Sequence, residues 1–139
     1  MTDRVFVDSN IWLYLFLKDD EEKFKIAEKF IYDKGNTNIL VISFQVINEV
    51  TNVLRRKGFF ESDIRSVVEQ LSRICIIQNY SKDVIVSASY LREENHLSFW
   101  DSHVVASAIA SGCCILASED MQDGQTINGT TIINVFKKE

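Results

Sequence analysis

Short runs of apolar residues alternate along the chain with longer segments in which apolar positions recur every three or four residues. The short runs have the length of buried strands, and the longer segments have the period of amphipathic or buried helices. The predicted strands are residues 5–7, 39–42, 75–77, 114–117 and 131–135. The predicted helices are residues 11–17, 24–34, 44–57, 62–74, 82–94 and 98–110. This alternation predicts an α/β protein, in which helices cover both faces of a mainly parallel sheet.

The helix predicted over residues 98–110 carries one residue that does not suit its surroundings. Asp101 falls in the middle of the apolar face that Val104, Val105 and Ala108 form. No Lys or Arg lies three or four residues away to pair with it. Because a carboxylate is costly to bury without a partner, we expect another part of the chain to bring Asp101 its partner.

Three further acids are placed to meet it. Asp8 comes directly after the first predicted strand, and Asp120 follows the strand over residues 114–117. In parallel sheets, ligands bind at the carboxyl ends of the strands, where these two acids would lie. Glu49 stands on the helix over residues 44–57 at the boundary between its apolar and polar faces, with no basic residue at i±3 or i±4. The four acids are therefore expected to converge.

Each acid also has a simpler explanation. Asp8 could only begin a helix, and Asp101 could close a capping box with Ser98. Glu49 could be a solvated edge residue, and Asp120 could form a turn. The capping roles explain neither the apolar setting of Asp101 nor the lack of a basic partner for Glu49, so convergence is the more informative hypothesis.

Composition and charge limit the classes of protein to which this chain could belong. The chain has 139 residues, of which 46% are hydrophobic and 25% charged, which suits a single domain over residues 1–139. Its net charge of −5 argues against a protein held on nucleic acid by bulk charge, although a local basic rim remains compatible. The N-terminus does not have the pattern of a signal peptide, and no apolar run is long enough for a membrane span. Three cysteines without metal-ligand spacing are expected to be reduced, in a cytoplasmic protein.

Four converging carboxylates repel one another, so protons or divalent cations must compensate them. Ligands that offer only oxygen suit Mg²⁺ or Mn²⁺. Ions held in this way bind phosphate, lower the pKa of a water and stabilise a leaving oxygen, which is the chemistry of phosphodiester hydrolysis. Ser9, Asn10, Ser118 and Asp123 are candidate auxiliary residues around such a site.

Arg56 lies on the same side of its helix as Glu49, close to the helix end. It either complements the helix dipole or contacts a phosphate of the substrate, and the sequence leaves both roles open.

Several local motifs resemble, in order and spacing, those of the PIN-domain family, and within it the VapC toxins of toxin–antitoxin pairs. They are the VFVDSN segment at residues 5–10, Ser43 with Asn48-Glu49-Val50, Phe99-Trp100-Asp101-Ser102, and ILASED at residues 115–120. The resemblance implies a three-layer α/β/α sandwich and a Mg²⁺- or Mn²⁺-dependent endoribonuclease. Asp8, Glu49, Asp101 and Asp120 would be its catalytic metal ligands. It also implies an antitoxin partner and a homodimer.

Within the acidic loop, Glu119, Asp120 and Asp123 all offer a carboxylate, and Asp120 matches the family position. Two other functions remain open. One is a phosphatase-like enzyme that forms a covalent intermediate on Asp8, although such enzymes have a second aspartate where this chain has Asn10. The other is a non-catalytic PIN-like module that binds a basic partner segment in its acidic cleft.

Overall fold

A computed structural model describes residues 3–137 of the chain. Its strands are β1 Arg4–Val7, β2 Ile39–Ser43, β3 Ile76–Gln78, β4 Ile115–Ala117, β5 Thr126–Ile127 and β6 Thr130–Ile133. Its helices are α1 Ser9–Leu17, α2 Glu21–Thr37, α3 Phe44–Arg56, α4 Glu61–Ile74, α5 Lys82–Glu94 and α6 Phe99–Ala110. All the predicted strands and helices are present.

The strands form one sheet in the order β3-β2-β1-β4-β6-β5. Every neighbouring pair is parallel except β5 and β6, which are antiparallel. The prediction of a mainly parallel sheet is thus confirmed, while the short strand β5 was not predicted. The register pairs Val7 of β1 with Ala117 of β4, so these two strands end side by side.

Helices lie on both sides of this sheet. The chain runs from β1 outward through β2 to β3, and then returns to β4 on the other side of β1. Because crossovers between parallel strands are right-handed, the reversal puts α1–α4 on one face and α5–α6 on the other. This confirms the three-layer α/β/α sandwich. The strand order reverses between β1 and β4, and such a switch point is where open α/β sheets bind ligands.

The centre of the sheet is fully buried and fixes where α1 begins. Val5, Phe6 and Val7 have no exposed surface, and neither has Trp12 of α1. The indole nitrogen of Trp12 donates to the backbone oxygen of Val7 at 3.2 Å. This bond ties the first turn of α1 to the carboxyl end of β1, and so it holds the intervening Asp8 at the sheet edge.

Two predicted helix boundaries were wrong. Gly35 does not end the second helix, because α2 continues to Thr37 and the backbone N–H of Asn38 closes its last turn on Lys34. Helix α4 begins one residue earlier than predicted, at Glu61, with Phe60 at its N-cap. Within residues 3–137, no helix has the length and apolar character needed to cross a membrane.

Candidate active site

Asp8 lies at the carboxyl end of β1 and is only 5% exposed. It is the N-cap of α1, and its Oδ1 accepts a hydrogen bond of 2.7 Å from the backbone N–H of Ser9. Its Oδ2 accepts one of 2.8 Å from Oγ of Ser118, which follows β4. The capping role expected for Asp8 is therefore real, but the second oxygen is held by a residue from the neighbouring strand.

Glu49 is oriented through both of its carboxylate oxygens. Oε2 accepts from Oγ of Ser9 at 2.8 Å, and Oε1 accepts from Nε2 of Gln45 at 2.8 Å. Ser9 therefore links Glu49 to the backbone that caps α1 beside Asp8. The sequence contains no basic residue at i±3 or i±4 to pair with Glu49. In the structure its partner within the helix is the side-chain amide of Gln45, four residues earlier.

Asp120 is held by Asn10, which donates from Nδ2 to Oδ2 of Asp120 at 3.0 Å. Oδ1 of Asn10 accepts from the backbone N–H of Glu119 at 3.3 Å, so the side-chain amide of Asn10 binds the loop after β4 at two points. The Glu119 side chain turns the other way, towards the hydroxyl of Tyr14 at 2.7 Å and the ammonium group of Lys23. The two adjacent acids therefore have different surroundings.

Asp101 lies in the first turn of α6, half-buried. Its backbone N–H donates to Oγ of Ser98 at 3.2 Å, so Ser98 caps the helix. Its carboxylate, in contrast, lines the cavity into which Asp8 opens. Asp101 thus meets three other acids, which repel its charge, and none of the described lining residues offers the compensating partner that the sequence led us to expect.

One cavity of about 60 Å³ brings these side chains together. Its lining comprises Asp8, Ser9, Gln45, Glu49, Trp100, Asp101, Val104 and Asp120. The four predicted acids all contribute, and none of the described lining residues is basic. Asn10 and Ser118 stand behind the lining and hold its acids through the hydrogen bonds above.

Two predicted site residues lie elsewhere. Asp123 accepts a 2.8 Å hydrogen bond from the backbone N–H of Asn134, and it lies 3.4 Å from Nζ of Lys137, so it anchors the loop that precedes β5. Arg56 is exposed in the last turn of α3. Neither side chain lines the acidic cavity.

Burial raises the pKa of Asp8 from 3.8 to about 6. This value is the net result, in which the nearby Glu49 and Asp120 carboxylates add to the effect of burial and the hydrogen bonds from Ser118 and Ser9 oppose it. The increase means that the charge of ionised Asp8 is not fully compensated by the protein. A cation in the cavity would relieve this cost.

The donor chemistry of the cavity fits a hard divalent cation, since every lining acid offers oxygen and no lining residue of the described chain supplies a positive charge. The acids nevertheless stand apart: across residues 3–137, no three Asp, Glu, His or Cys side chains already form a metal-binding group. The fit therefore rests on ligand type and charge.

The sequence did not single out Trp100 or Gln45. Trp100 is 60% exposed, and it forms one wall of an adjoining groove of about 600 Å³. Gln45, Asn48, Glu49 and Asn52 of α3 form the other wall. Their spacing along α3 is helical and was visible in the sequence, but nothing in the sequence indicated that Trp100 would face them.

Comparison with known proteins identifies a matching family model and solved structures of similar fold. The family model of the PIN domain matches residues 5–122, a range that contains all four cavity acids. No curated protein matches the chain significantly.

Solved structures with the same fold include a toxin–antitoxin complex from Klebsiella pneumoniae (TM-score 0.75, 20% identity, covering 96% of this chain and 99% of that one). VapBC from Salmonella typhimurium, bound to DNA, has a TM-score of 0.71 at 14% identity, covering 97% and 99%. VapC20 from Mycobacterium tuberculosis, described as a toxin that cleaves the sarcin–ricin loop, has a TM-score of 0.67 at 20% identity, covering 81% and 86%.

Proposed function

The chain belongs to the PIN domain family, and from this premise we propose that it is a metal-dependent endoribonuclease, the toxin of a toxin–antitoxin pair. We propose further that residues 1–139 form a single PIN-like domain that acts in the cytoplasm. The observation that carries the proposal is the cavity at the switch point of the sheet, into which four carboxylates from four different parts of the chain open.

In this proposal Asp8, Glu49, Asp101 and Asp120 hold Mg²⁺ or Mn²⁺. An ion held there would supply a binding site for a phosphate oxygen, a water of lowered pKa and stabilisation of the leaving oxygen. The hydrogen bonds from Ser9, Ser118 and Asn10 fix the directions of the carboxylates before the substrate arrives. Such fixed orientation lowers the cost of assembling the site.

Ionisation of Asp8 is part of the same mechanism. Since its pKa is about 6, Asp8 is mainly ionised at neutral pH and is increasingly protonated in mild acid. A protonated Asp8 is a poor ligand for a cation, so we expect activity to decline as the pH falls through this value.

The substrate proposed is RNA. A protein of the same fold, VapC20, is described as cleaving the sarcin–ricin loop. Arg56 lies one helical turn beyond Asn52, which lines the groove beside the cavity, and we assign Arg56 to a phosphate of the substrate. A single exposed arginine near the site is compatible with RNA binding despite the net charge of −5.

The partner proposed is an antitoxin protein, because related folds have been solved as toxin–antitoxin complexes. The acidic cavity has the charge to accept a basic side chain of such a partner, which would compete with the metal ion. A homodimer is proposed on the family resemblance alone.

The decisive experiment is cleavage of RNA by the purified chain with Mg²⁺ or Mn²⁺, and with EDTA. We expect cleavage with either ion, loss of cleavage in EDTA, and a loss of at least about a hundredfold in Asp8→Asn and Asp101→Asn. Asp123→Asn is the matched control, because its carboxylate lies outside the cavity. Cleavage that survives chelation, or either of the first two substitutions, would contradict the mechanism.

The same variants test the two other functions. Both oxygens of Asp8 accept hydrogen bonds, which weakens it as a nucleophile and favours its role as a ligand. A covalent phosphoryl group trapped on Asp8 would establish the phosphatase-like alternative. A folded protein that binds an arginine-bearing partner peptide but shows no metal-dependent hydrolysis would establish the non-catalytic module.

A further inference from the structure

The groove beside the acidic cavity has a different chemical character from the cavity itself. We call it the amide groove; its walls are Gln45, Asn48, Glu49 and Asn52 of α3, and Trp100 of α6. It is about ten times larger than the cavity, at about 600 Å³ against about 60 Å³. The two share Gln45, Glu49 and Trp100, so a ligand in the groove lies directly beside the acids.

Trp100 is exposed but held in place. The rings of Phe99 and Trp100 pack edge to face, with their centroids 4.9 Å apart and an interplanar angle of 89°, and the ring centroid of His103 lies 5.7 Å from that of Trp100. His103 is itself buried, and it is hydrogen-bonded to the hydroxyl of Tyr80. Arg92 stacks over the ring of Phe99 at 4.8 Å. The supporting rings fix the position of an indole that is still 60% exposed, which leaves an aromatic surface ready for a planar ligand.

The opposite wall offers neutral hydrogen-bonding groups. Oδ1 of Asn52 accepts from Nη2 of Arg55 at 3.1 Å, which leaves the NH₂ of Asn52 directed to other partners. In the part of the chain that the structure describes, the side chain of Asn48 makes no hydrogen bond. Apart from Glu49 at the inner end, the described walls carry no charge. Amides beside an aromatic ring suit the edge and the face of a nucleobase, and they do not suit a phosphate.

We propose that the amide groove binds one unpaired nucleobase of the RNA next to the scissile phosphate. The base stacks on Trp100, and Asn48 and Asn52 bind its edge. A base inside a duplex cannot enter, because both of its faces are already stacked; the site therefore selects single-stranded or looped RNA. This inference rests on the proposed nuclease function and adds the residues that determine its substrate.

Intrinsic fluorescence tests the contact directly. The chain has two tryptophans, and Trp12 is fully buried, so quenching by a ligand reports on Trp100. The protein is titrated with single-stranded oligoribonucleotides in the presence of Ca²⁺, an ion that carboxylates also bind. We expect quenching by the single strand, little quenching by the same sequence in a duplex, and none in Trp100→Phe, where only Trp12 emits.

The energetic test uses the anisotropy of a fluorescein-labelled oligoribonucleotide. Because stacking of one base on an aromatic ring contributes about 1–3 kcal/mol, Trp100→Ala is expected to bind about 5- to 150-fold more weakly. Trp100→Phe should recover part of the affinity. Tyr90→Ala is the matched control: Tyr90 is also 60% exposed, but it lies on α5 away from the groove, and its loss should leave the affinity unchanged.

An abasic scan identifies the bound base. Removal of the base that enters the groove should weaken binding to the unaltered protein by at least the factor seen for Trp100→Ala, and should have a clearly smaller effect on that variant. Asn48→Ala and Asn52→Ala should change which base is preferred at this position.

Two outcomes would overturn the inference: equal affinities of Trp100→Ala and Tyr90→Ala for RNA, or effects of Trp100→Ala and base removal that add at every abasic position. RNA cleavage by the unaltered protein would still support the nuclease function in either case. If the unaltered protein binds no RNA, the inference is overturned as well, and the cleavage assay then decides whether the proposed function is lost with it.

Discussion

Oγ of Ser118 donates a hydrogen bond of 2.8 Å to Oδ2 of Asp8, although the two residues are 110 positions apart in the chain. The parallel pairing of Val7 with Ala117 brings them together, since each follows its strand by one residue. Burial raises the pKa of Asp8, and this bond counteracts part of that effect by stabilising the ionised form. Ser118 is therefore a positioning residue for Asp8.

Ser118→Ala should raise the pKa of Asp8 above about 6, because it removes the largest contribution that opposes burial. In the unaltered protein, with the metal ion below saturation, the acid limb of the pH–rate profile is expected near that value. In the variant it should move to higher pH, with cleavage reduced by about tenfold at pH 6 and much less at pH 8. The ¹³C shift of the Asp8 carboxyl group gives the same titration without an assay of activity.

Ser72→Ala is the control for this variant, since Ser72 is exposed and its hydroxyl bonds only to the backbone of its own helix. An acid limb that stays in place in Ser118→Ala would show that the bond does not govern the charge of Asp8.

Asp8→Asn should stabilise the metal-free protein at neutral pH. The folded pKa of Asp8, about 6, lies above the reference value of 3.8, so folding favours the protonated acid. Stability is therefore lost as the pH rises from about 4 through 6, and ionised Asp8 costs up to about 3 kcal/mol at pH 7.5. Urea unfolding in EDTA should show a gain of about 1–3 kcal/mol at pH 7.5 for the variant, and a smaller gain at pH 4.5.

Asp123→Asn should change the free energy of unfolding in the opposite direction. The backbone N–H of Asn134 and the ammonium group of Lys137 lower the pKa of Asp123, so this acid contributes stability above its unfolded pKa that is lost as the pH falls through the folded value. Its substitution should lower the free energy of unfolding at pH 7.5. If both variants change stability in the same direction, the difference in their surroundings does not control their charges.

Addition of Mg²⁺ or Mn²⁺ should stabilise the folded chain and should identify the fourth acid of the site. A ligand at a hundred times its dissociation constant adds about 2.7 kcal/mol. We expect this gain in the unaltered protein, its loss in Asp120→Asn, and its retention in Glu119→Gln, because Glu119 is turned towards Tyr14 and Lys23. Thermal unfolding with and without the ion measures it. The reverse outcome would exchange the roles of the two neighbouring acids.

Lys23→Met should destabilise the loop that carries Asp120. Lys23 forms an ion pair with Glu119 and lies over the ring of Tyr14 at 4.8 Å, and both charged side chains are partly shielded from solvent. We expect a loss of about 1 kcal/mol in urea unfolding. Lys29→Met removes a pair with Asp33 that is well exposed and screened by solvent, and its loss should be smaller than that of Lys23→Met. Equal losses would mean that the loop does not depend on its anchor.

The position of Asp101 illustrates what the sequence could predict. An acid in the middle of an apolar helix face needs a partner from elsewhere, and this argument holds without knowledge of the fold. The placement of Asp8 and Asp120 at strand ends followed from the rule that parallel strands end at one edge. Both inferences use local patterns together with a general property of parallel sheets.

Other features depend on contacts that no local pattern encodes. That Asp120 faces the cavity while Glu119 faces away is determined by Lys23 and Tyr14, which are distant in sequence. That Trp100 lies opposite Asn48 likewise depends on a tertiary arrangement, namely how α6 and α3 lie across the sheet edge.

Strand β5 was overlooked for a different reason. It has only two residues, Thr126–Ile127, too few for an apolar run to be recognised. The turn that follows it does have a sequence signal, because Asn-Gly between short strands is a strong indication of a hairpin. In the structure Asn128 and Gly129 have the positive φ angles of such a turn, 48° and 88°.

The order in which the chain supplies its acids has a consequence for its synthesis. Asp8 and Glu49 emerge from the ribosome well before β4, Ser118 and Asp120. Because β4 is the strand that pairs with β1 at the site, a nascent chain without it has neither the completed cavity nor the bond that holds Asp8. The site that we propose for RNA cleavage is therefore incomplete until the ribosome has synthesised the chain beyond Asp120.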